Sequence, residues 1–83
     1  MAIQIIVAIR DSAVDAFMRP AFVPAIGAAV RGFGDEVARA DSEMGKHPSD
    51  YEMFELGSYN DLDASFSLLE KPRSIARAVD FIK

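Results

Sequence analysis

The segment HPSDYEMFELGSYND, residues 47–61, decides the fold because it joins a candidate site to an alternating apolar run. Residues 51–58 alternate with the period of two that is typical of a β-strand. Two side chains would lie on one side of that strand, Phe54 and Leu56, and three on the other, Tyr51, Met53 and Glu55. The segment therefore predicts a strand that begins directly after a His-Pro loop.

A second alternating run follows a polar turn. Residues 65–69, SFSLL, place Phe66 and Leu68 on one face of a strand. The Asn60-Asp61 pair, with Gly57 nearby, supplies residue types that favour turns. Two alternating runs joined by such a turn predict an antiparallel hairpin.

The flanking sequence adds a strand and two helices. Residues 3–9 form a β-branched run, which predicts a strand buried on both faces. After Pro24 the apolar residues follow the helical period, on a stripe made of Ile26, Val30, Phe33 and Val37. Residues 71–83, KPRSIARAVDFIK, predict a short closing helix behind Pro72, with Ile75, Ala78 or Val79, and Ile82 at helical spacing.

The remaining segments predict connections. Residues 13–23 contain Pro20, which limits them to an edge strand or an extended lead-in. Residues 41–50, DSEMGKHPSD, predict a loop. The whole predicts a single α+β domain over residues 1–83. It has a small, mainly antiparallel sheet of the N-terminal strand and the hairpin, with residues 13–23 available as an extra edge strand, and two helices on one face.

Composition and charge narrow the function classes. The chain has no cysteine, which excludes disulfides, thiolate metal sites and thiol catalysis. No apolar stretch is long enough to span a bilayer, and we expect no membrane association and no signal peptide. The net charge is −4, and residues 35–70, with two basic against ten acidic groups, carry most of it. This balance argues against indiscriminate coating of nucleic acid, but it leaves room for a local basic groove.

His47, the only histidine, is a poor catalytic candidate. There is no nucleophile-elbow pattern, and a zinc site would need three or four ligands where the sequence offers one histidine and scattered carboxylates. The acidic residues lack the spacing of a calcium loop, and no glycine-rich phosphate motif is present. We therefore predict a protein that is not an enzyme, with no catalytic residues, no metal site and no cofactor.

The residue types favour binding instead. Single-stranded nucleic acid is held by aromatic faces that stack on bases and by Arg or Lys on phosphates. Three clusters have some of these groups, although any of them could equally be a core or solvated surface. The candidate nucleic-acid-binding residues are Arg10, Phe17 and Arg19 in the first cluster, Lys46, His47 and Tyr51 in the second, and Arg73 and Arg77, with Lys71 and Lys83, in the third.

The pattern resembles the small non-structural protein of gokushoviruses and related tailless single-stranded DNA phages of the microvirus group. The most specific part is the block His47-Pro48-Ser49-Asp50-Tyr51, followed by Phe54, Leu56 and Gly57. Supporting matches are Asp11-Ser12, Phe17, Pro20, Phe22, the run RGFGDEV at residues 31–37, Asp61, Pro72 and Ile75. The departures are the helix start at residues 23–28 and the turn at residues 60–63, which lacks the usual glycine.

The resemblance implies a phage protein that is absent from the virion and acts on the genome in the host cytoplasm. Our leading expectation is a homo-oligomer that binds single-stranded DNA during replication or the switch to packaging. A second is an interaction protein that regulates the phage replication machinery or a host factor without touching DNA, since the acidic segment suits basic partners. A third, weaker, is a ligand-binding or enzymatic domain that uses clefts between subunits.

Overall fold

A computed structural model describes residues 3–82, which form one five-stranded antiparallel sheet with helices on one side. The strands are β1 (Ile3–Asp11), β2 (Ala16–Phe17), β3 (Ala21–Val23), β4 (Tyr51–Asn60) and β5 (Ser65–Arg77). The helices are α1 (Ile26–Ala38) and α2 (Glu43–Lys46), with single 3₁₀ turns at Pro48–Asp50 and Ala78–Phe81. The strand order is β2-β1-β4-β5. β3 also pairs with β1, at residues 5–7, whereas β2 pairs with β1 at residues 10–11.

The core lies between the helices and one face of the sheet. Ala29, Phe33 and Val37 of α1 are buried together with Val7 of β1 and Met53 of β4. Met44 of α2 and Ala78 of the last 3₁₀ turn complete this buried cluster. Of the stripe predicted from residue 26 to residue 37, Phe33 and Val37 are confirmed as core residues, whereas Ile26 and Val30 are only half-buried and Ala29 occupies the cluster instead of Val30.

The sheet confirms the predicted strands and hairpin. β4 and β5 form the antiparallel hairpin, and β1 is buried at Ile6, Val7 and Ala8, which alternate between the two faces. The segment that contains Pro20 is extended, as predicted, with the proline in the gap between the edge strands β2 and β3. A proline has no N–H for a ladder, so this gap is where it costs least.

A bulge interrupts the hairpin at Leu56. On the β1 side the pairs Val7–Glu55 and Ile6–Gly57 leave Leu56 as an extra residue. On the β5 side, residues 69–72 lie between two paired positions opposite that same Leu56. Bulges bend a strand and increase its twist, so the two halves of the hairpin differ in direction.

The closing helix predicted for residues 71–83 is wrong. Residues up to Arg77 continue strand β5, and only the single 3₁₀ turn Ala78–Phe81 follows; Lys83 lies outside the described residues. The physical reason is a second irregularity, between Phe54 and Met53 on β4 and Ser74 and Ala76 on β5. It lets Ile75 and Ala76 both pack on the core, which breaks the period of two by which a strand is recognised in a sequence.

The loop predicted for residues 41–50 also needs correction. It contains α2 and a 3₁₀ turn, and Ser42 begins α2 by accepting hydrogen bonds from the backbone N–H groups of Met44 (3.1 Å) and Gly45 (3.4 Å). Serine is a favoured residue at this capping position. The sequence pattern missed the helix because it has only four residues.

Candidate nucleic-acid interface

The sheet has a second face, opposite the helices, that carries most of the aromatic residues. The helix residues that are buried all belong to the core cluster with Val7 and Met53, so they lie on the other side. The cross-strand pairs and strand alternation assign the following residues to this second face, which we call the open face: Gln4, Ile6, Ala8, Arg10, Phe17, Phe22, Glu52, Phe54, Gly57, Tyr59, Phe66, Leu68, Ser74 and Arg77.

The helices are too short to cover the sheet from end to end. Residues 3–82 measure 40 Å along their longest axis, whereas the 13 residues of α1 span only about 20 Å. Where the helices end, the hairpin carries Ser58 and Ser67 on the helix side and Tyr59 and Phe66 on the open face. In this part of the sheet the polar and apolar sides are therefore the reverse of those expected for a two-layer fold.

Three aromatic rings form a cluster at the hairpin end of the open face. Phe22 of β3 makes edge contacts with Tyr59 (ring centroids 5.3 Å apart) and Phe66 (6.4 Å), and Tyr59 lies 4.9 Å from Phe66. Despite these contacts, Phe22 is 46% exposed, Phe66 57% and the adjacent Leu68 67%. The rings thus hold one another in place while leaving much of their surface to solvent.

A second aromatic pair lies toward the other end of the open face. Phe17 of β2 contacts Phe54 of β4 edge to face, with the ring centroids 5.4 Å apart. Phe17 remains 45% exposed. Ile6 and Ala8, both buried, form the floor between this pair and the Phe22 cluster. The open face therefore offers two aromatic stations on an apolar floor.

Two arginines stand beside the Phe17 pair. One cross-strand row on the open face runs from β5 to β2 through Arg77, Glu52, Arg10 and Phe17. Arg10 and Arg77 also line a cleft of about 220 Å³ together with Tyr51. The other residues that line this cleft are Ser12, Pro48, Ser49, Asp50, Glu52 and Val79. The cleft brings Arg10, Tyr51 and Arg77, three of the predicted residues, to the end of the open face.

Both arginines form exposed ion pairs with acidic neighbours. Arg10 bonds the carboxylate of Asp15, and Arg77 lies 3.4 Å from that of Asp80. Exposed pairs of this kind contribute about 1 kcal/mol or less. A phosphate that approached the cleft could therefore compete for either guanidinium at little cost.

Tyr51 lies at the edge of the cleft, where β4 begins. Its pKa is raised above the ordinary value, first by partial burial and second by the nearby carboxylate of Asp11, its cross-strand partner. The phenol therefore stays protonated at neutral pH and can donate a hydrogen bond. Its ring packs against the core, which leaves it less free to stack than Phe17.

The other predicted residues do not join this site. Arg73 lies on the helix face and bonds Glu55, and His47 lies 3.7 Å from Glu43 at the end of α2. Lys46 is exposed on α2 but is not among the cleft-lining residues, and Arg19 is exposed between β2 and β3. Of the eight predicted residues, the structure thus brings together Arg10, Phe17, Tyr51 and Arg77.

Sequence reasoning missed the hairpin part of the open face. Phe22, Phe54, Tyr59, Phe66 and Leu68 were not among the predicted site residues, because alternation alone assigns them to a core-facing side. A signal was nevertheless present in residues 58–67, where serines and aromatic residues alternate. The sequence predicts no further helix or strand that could bury the aromatic side.

Two further observations concern residues 3–82. In this range no three His, Asp or Glu side chains lie close enough together to hold a metal ion. None of the helices described there is long and apolar enough to cross a membrane.

The comparison with known proteins gives one match. The chain matches the family described as Phage ORF5 protein over residues 4–81, nearly its whole length. No curated protein and no solved structure matches. The match covers β1, the hairpin and the open face alike, so the chain belongs to the Phage ORF5 protein family and is a bacteriophage protein.

Proposed function

We propose that the protein binds single-stranded DNA on its open face. The observation that carries this proposal is the pair of exposed aromatic stations, around Phe17 and Phe22, on a sheet face whose arginines gather at one end. Stacking on aromatic rings tolerates any base, because every base has a π-face. The arrangement therefore favours binding that depends little on sequence.

The cleft is the proposed phosphate site. Arg10 and Arg77 flank it, and Glu52 between them is the one acid at the paired strand positions of the open face within residues 3–82. The paired positions thus carry a charge of +1 in a chain whose net charge is −4. A strand of DNA that ran along the sheet would place its backbone near the arginines and its bases over the rings.

The biological role follows from the resemblance to the microvirus group. We infer that the protein is a non-structural component that acts in the host cytoplasm during genome replication or the switch from duplex copying to packaging of single strands. Binding and covering of exposed strands requires no bond-making step, which agrees with a site built of rings and arginines rather than of nucleophiles and bases.

A titration with a fluorescently labelled oligonucleotide of mixed sequence tests the proposal at low salt. Phe17→Leu and Phe22→Leu keep an apolar side chain but remove the stacking surface, so each is expected to weaken binding by about 1–3 kcal/mol, or about 5- to 150-fold. Leu62→Ala is a matched control, because Leu62 is 81% exposed in the hairpin turn and is not one of the rings that form the two stations.

Two outcomes would contradict the proposal. One is the absence of binding by the folded protein at low salt. The other is equal affinity of the wild type and both Phe variants, with circular dichroism showing that all are folded.

A second candidate function is docking of a protein partner on the same apolar surface. It is favoured by Leu68 of the open face, which is aliphatic, 67% exposed and has no role in stacking. A phage replication protein or a host factor would then be the ligand. A pull-down that retains a protein partner after nuclease treatment, lost in Leu68→Ala but not in Phe17→Leu, would support this candidate over DNA binding.

A further inference from the structure

The outer edge of β5 is a second surface that residues 3–82 leave unpaired. β5 is the last strand in the order β2-β1-β4-β5, and one of its edges pairs with β4. From Ser65 to Ser74 every residue of the strand is exposed. An unpaired edge presents a row of N–H and C=O groups that can pair with another strand.

The two halves of this edge differ in protection. Residues 70–72, Glu-Lys-Pro, carry two charges, a proline and the bulge opposite Leu56, which are the devices that block strand addition. Residues 64–69, ASFSLL, have no charge and no proline. Residues 70–72 are therefore protected against strand addition, whereas residues 64–69 are suited to pairing with another strand.

We propose that residues 65–69 of β5 pair antiparallel with the same segment of a second copy of the chain. The two-fold axis would pass through Ser67, so that Ser67 faces Ser67 of the second copy and Phe66 faces Leu68. This register places Ser67 against the same residue of the second copy on the helix side, flanked by Ser65 facing Leu69, and it brings the apolar Phe66 and Leu68 together on the open face. The two open faces then form one continuous surface.

Charge complementarity supports this register. Continued beyond the paired segment, it brings Lys71 of one copy toward the turn of the other, which carries Asp61 and Asp63. The stretch 70–73 also holds Glu70 and Arg73, so a net charge of +1 meets the two aspartates of the turn at each end of the interface. At its centre no charged group lies on either strand, so two copies of net charge −4 can approach closely there.

A cysteine placed at the axis tests the register directly, because the natural chain has none. Directly opposed residues in an antiparallel pair have Cα atoms about 4.5–5.5 Å apart, which a disulfide can bridge. Ser67→Cys is expected to form a covalent dimer under mild oxidation. Ser65→Cys, offset from its own copy by four residues, and Ala28→Cys, exposed on α1, are the controls and should crosslink far less.

Light scattering without DNA tests the unmodified interface. The wild type is expected to show a concentration-dependent dimer. In Ser67→Glu two like charges would face each other at the axis, which should raise the dimer dissociation constant about tenfold or more. Ala28→Glu adds the same charge elsewhere and should leave the dimer unchanged.

The proposal is overturned by a wild type that stays monomeric at all concentrations, by a dimer insensitive to Ser67→Glu, or by equal crosslinking of Ser67→Cys and Ala28→Cys. None of these readouts involves DNA. Failure of the dimer therefore leaves the nucleic-acid proposal standing, and the reverse is also true.

Discussion

Single residues of the open face show how a small chain can hold a binding surface in shape. Phe22 contacts both Tyr59 and Phe66 edge to face and still leaves nearly half of its surface exposed. Rings fixed in this way lose little rotamer freedom when a base stacks on them, so less of the stacking energy is spent on ordering. Ile6 and Ala8, which pair with Phe22 and Phe54 on the neighbouring strands, are buried and add almost no exposed surface.

Gly57 is the backbone position on which this surface depends. Its φ of +155° lies in a region that L side chains rarely adopt, and a Cβ there would meet the carbonyl oxygen of Ser67 and lie 2.7 Å from Cα of Leu68. Gly57→Ala is therefore expected to lower the free energy of unfolding by about 2–3 kcal/mol, through backbone strain and displacement of β5. Urea denaturation measures this change.

Gly32 provides the matched control for Gly57. It is exposed in the interior of α1, and a Cβ there meets nothing within 4 Å. Gly32→Ala should raise the free energy of unfolding by about 0.5–1 kcal/mol, because alanine loses less backbone entropy in a helix. If Gly57→Ala left the free energy of unfolding unchanged or raised it, as expected for Gly32→Ala, the conformation assigned to Gly57 would be wrong.

At the scale of elements, sequence patterns identified what is long and regular. The strand at β1, the stripe of α1 and the hairpin each repeat their period over enough residues to be recognised. The two elements that differ from the sequence prediction are short or interrupted. α2 has four residues, and β5 carries irregularities that bring Ile75 and Ala76 to the same side. Such irregularities are set by pairing with β4, which no local pattern of residues 71–77 contains.

α2 shows what fixes a very short helix. Isolated helices of this length are unstable in water, so the cap and the tertiary contacts must hold it. Ser42 is 1% exposed and accepts hydrogen bonds from Met44 and Gly45, while Met44 itself enters the core. The helix thus rests on one buried hydroxyl and one buried side chain.

Ser42→Ala is expected to lower the free energy of unfolding by about 1–2 kcal/mol, because the backbone N–H groups of Met44, which is buried, and Gly45, which is half-buried, lose their acceptor. Thermal or urea unfolding monitored by circular dichroism gives the change. Ser49→Ala, at an exposed position of the following 3₁₀ turn, should stay within about 0.5 kcal/mol of the wild type. Equal effects of the two substitutions would contradict the capping role.

At the scale of the molecule, the sequence predicted the fold better than the site. Alternation and helical period fix which segments pair and pack, and so the α+β arrangement followed from them. The site depends on how much of the hairpin the helices cover, and α1, with 13 residues, is shorter than the 40 Å length of residues 3–82. Arg10 and Phe17 were predicted as candidates because an arginine and a ring occur close together there, whereas Phe22 and Phe66 were not, because apolar alternation also describes a core.

Charge is also distributed at the scale of the molecule. The acidic surplus of residues 35–70 lies largely outside the open face. There Arg73 forms an ion pair with Glu55, and Arg39 forms one with Glu36. Arg10 and Arg77 remain on the open face with weakly held partners. A protein of net charge −4 can therefore attract a polyanion only at close range and in one orientation.

The salt dependence of DNA binding tests this division between arginines and rings. Each phosphate contact on single strands contributes about −0.7 to the slope of log K against log salt. Arg77→Gln should reduce the steepness of that slope by about this amount. Phe17→Leu should weaken binding at every salt concentration but leave the slope unchanged. Arg39→Gln, which removes a charge held by Glu36 and Asp41 on the helix side, serves as the control.

The same experiment predicts a gain of affinity as well as losses. Asp15→Asn breaks the ion pair with Arg10 and frees its guanidinium for phosphate, so binding should tighten at low salt and the slope should become steeper. Damage to the fold cannot mimic this change, because unfolding would weaken binding. A slope that Arg77→Gln and Asp15→Asn leave unaltered would mean that the cleft does not meet the phosphates, and the rings alone would then have to account for any affinity for DNA.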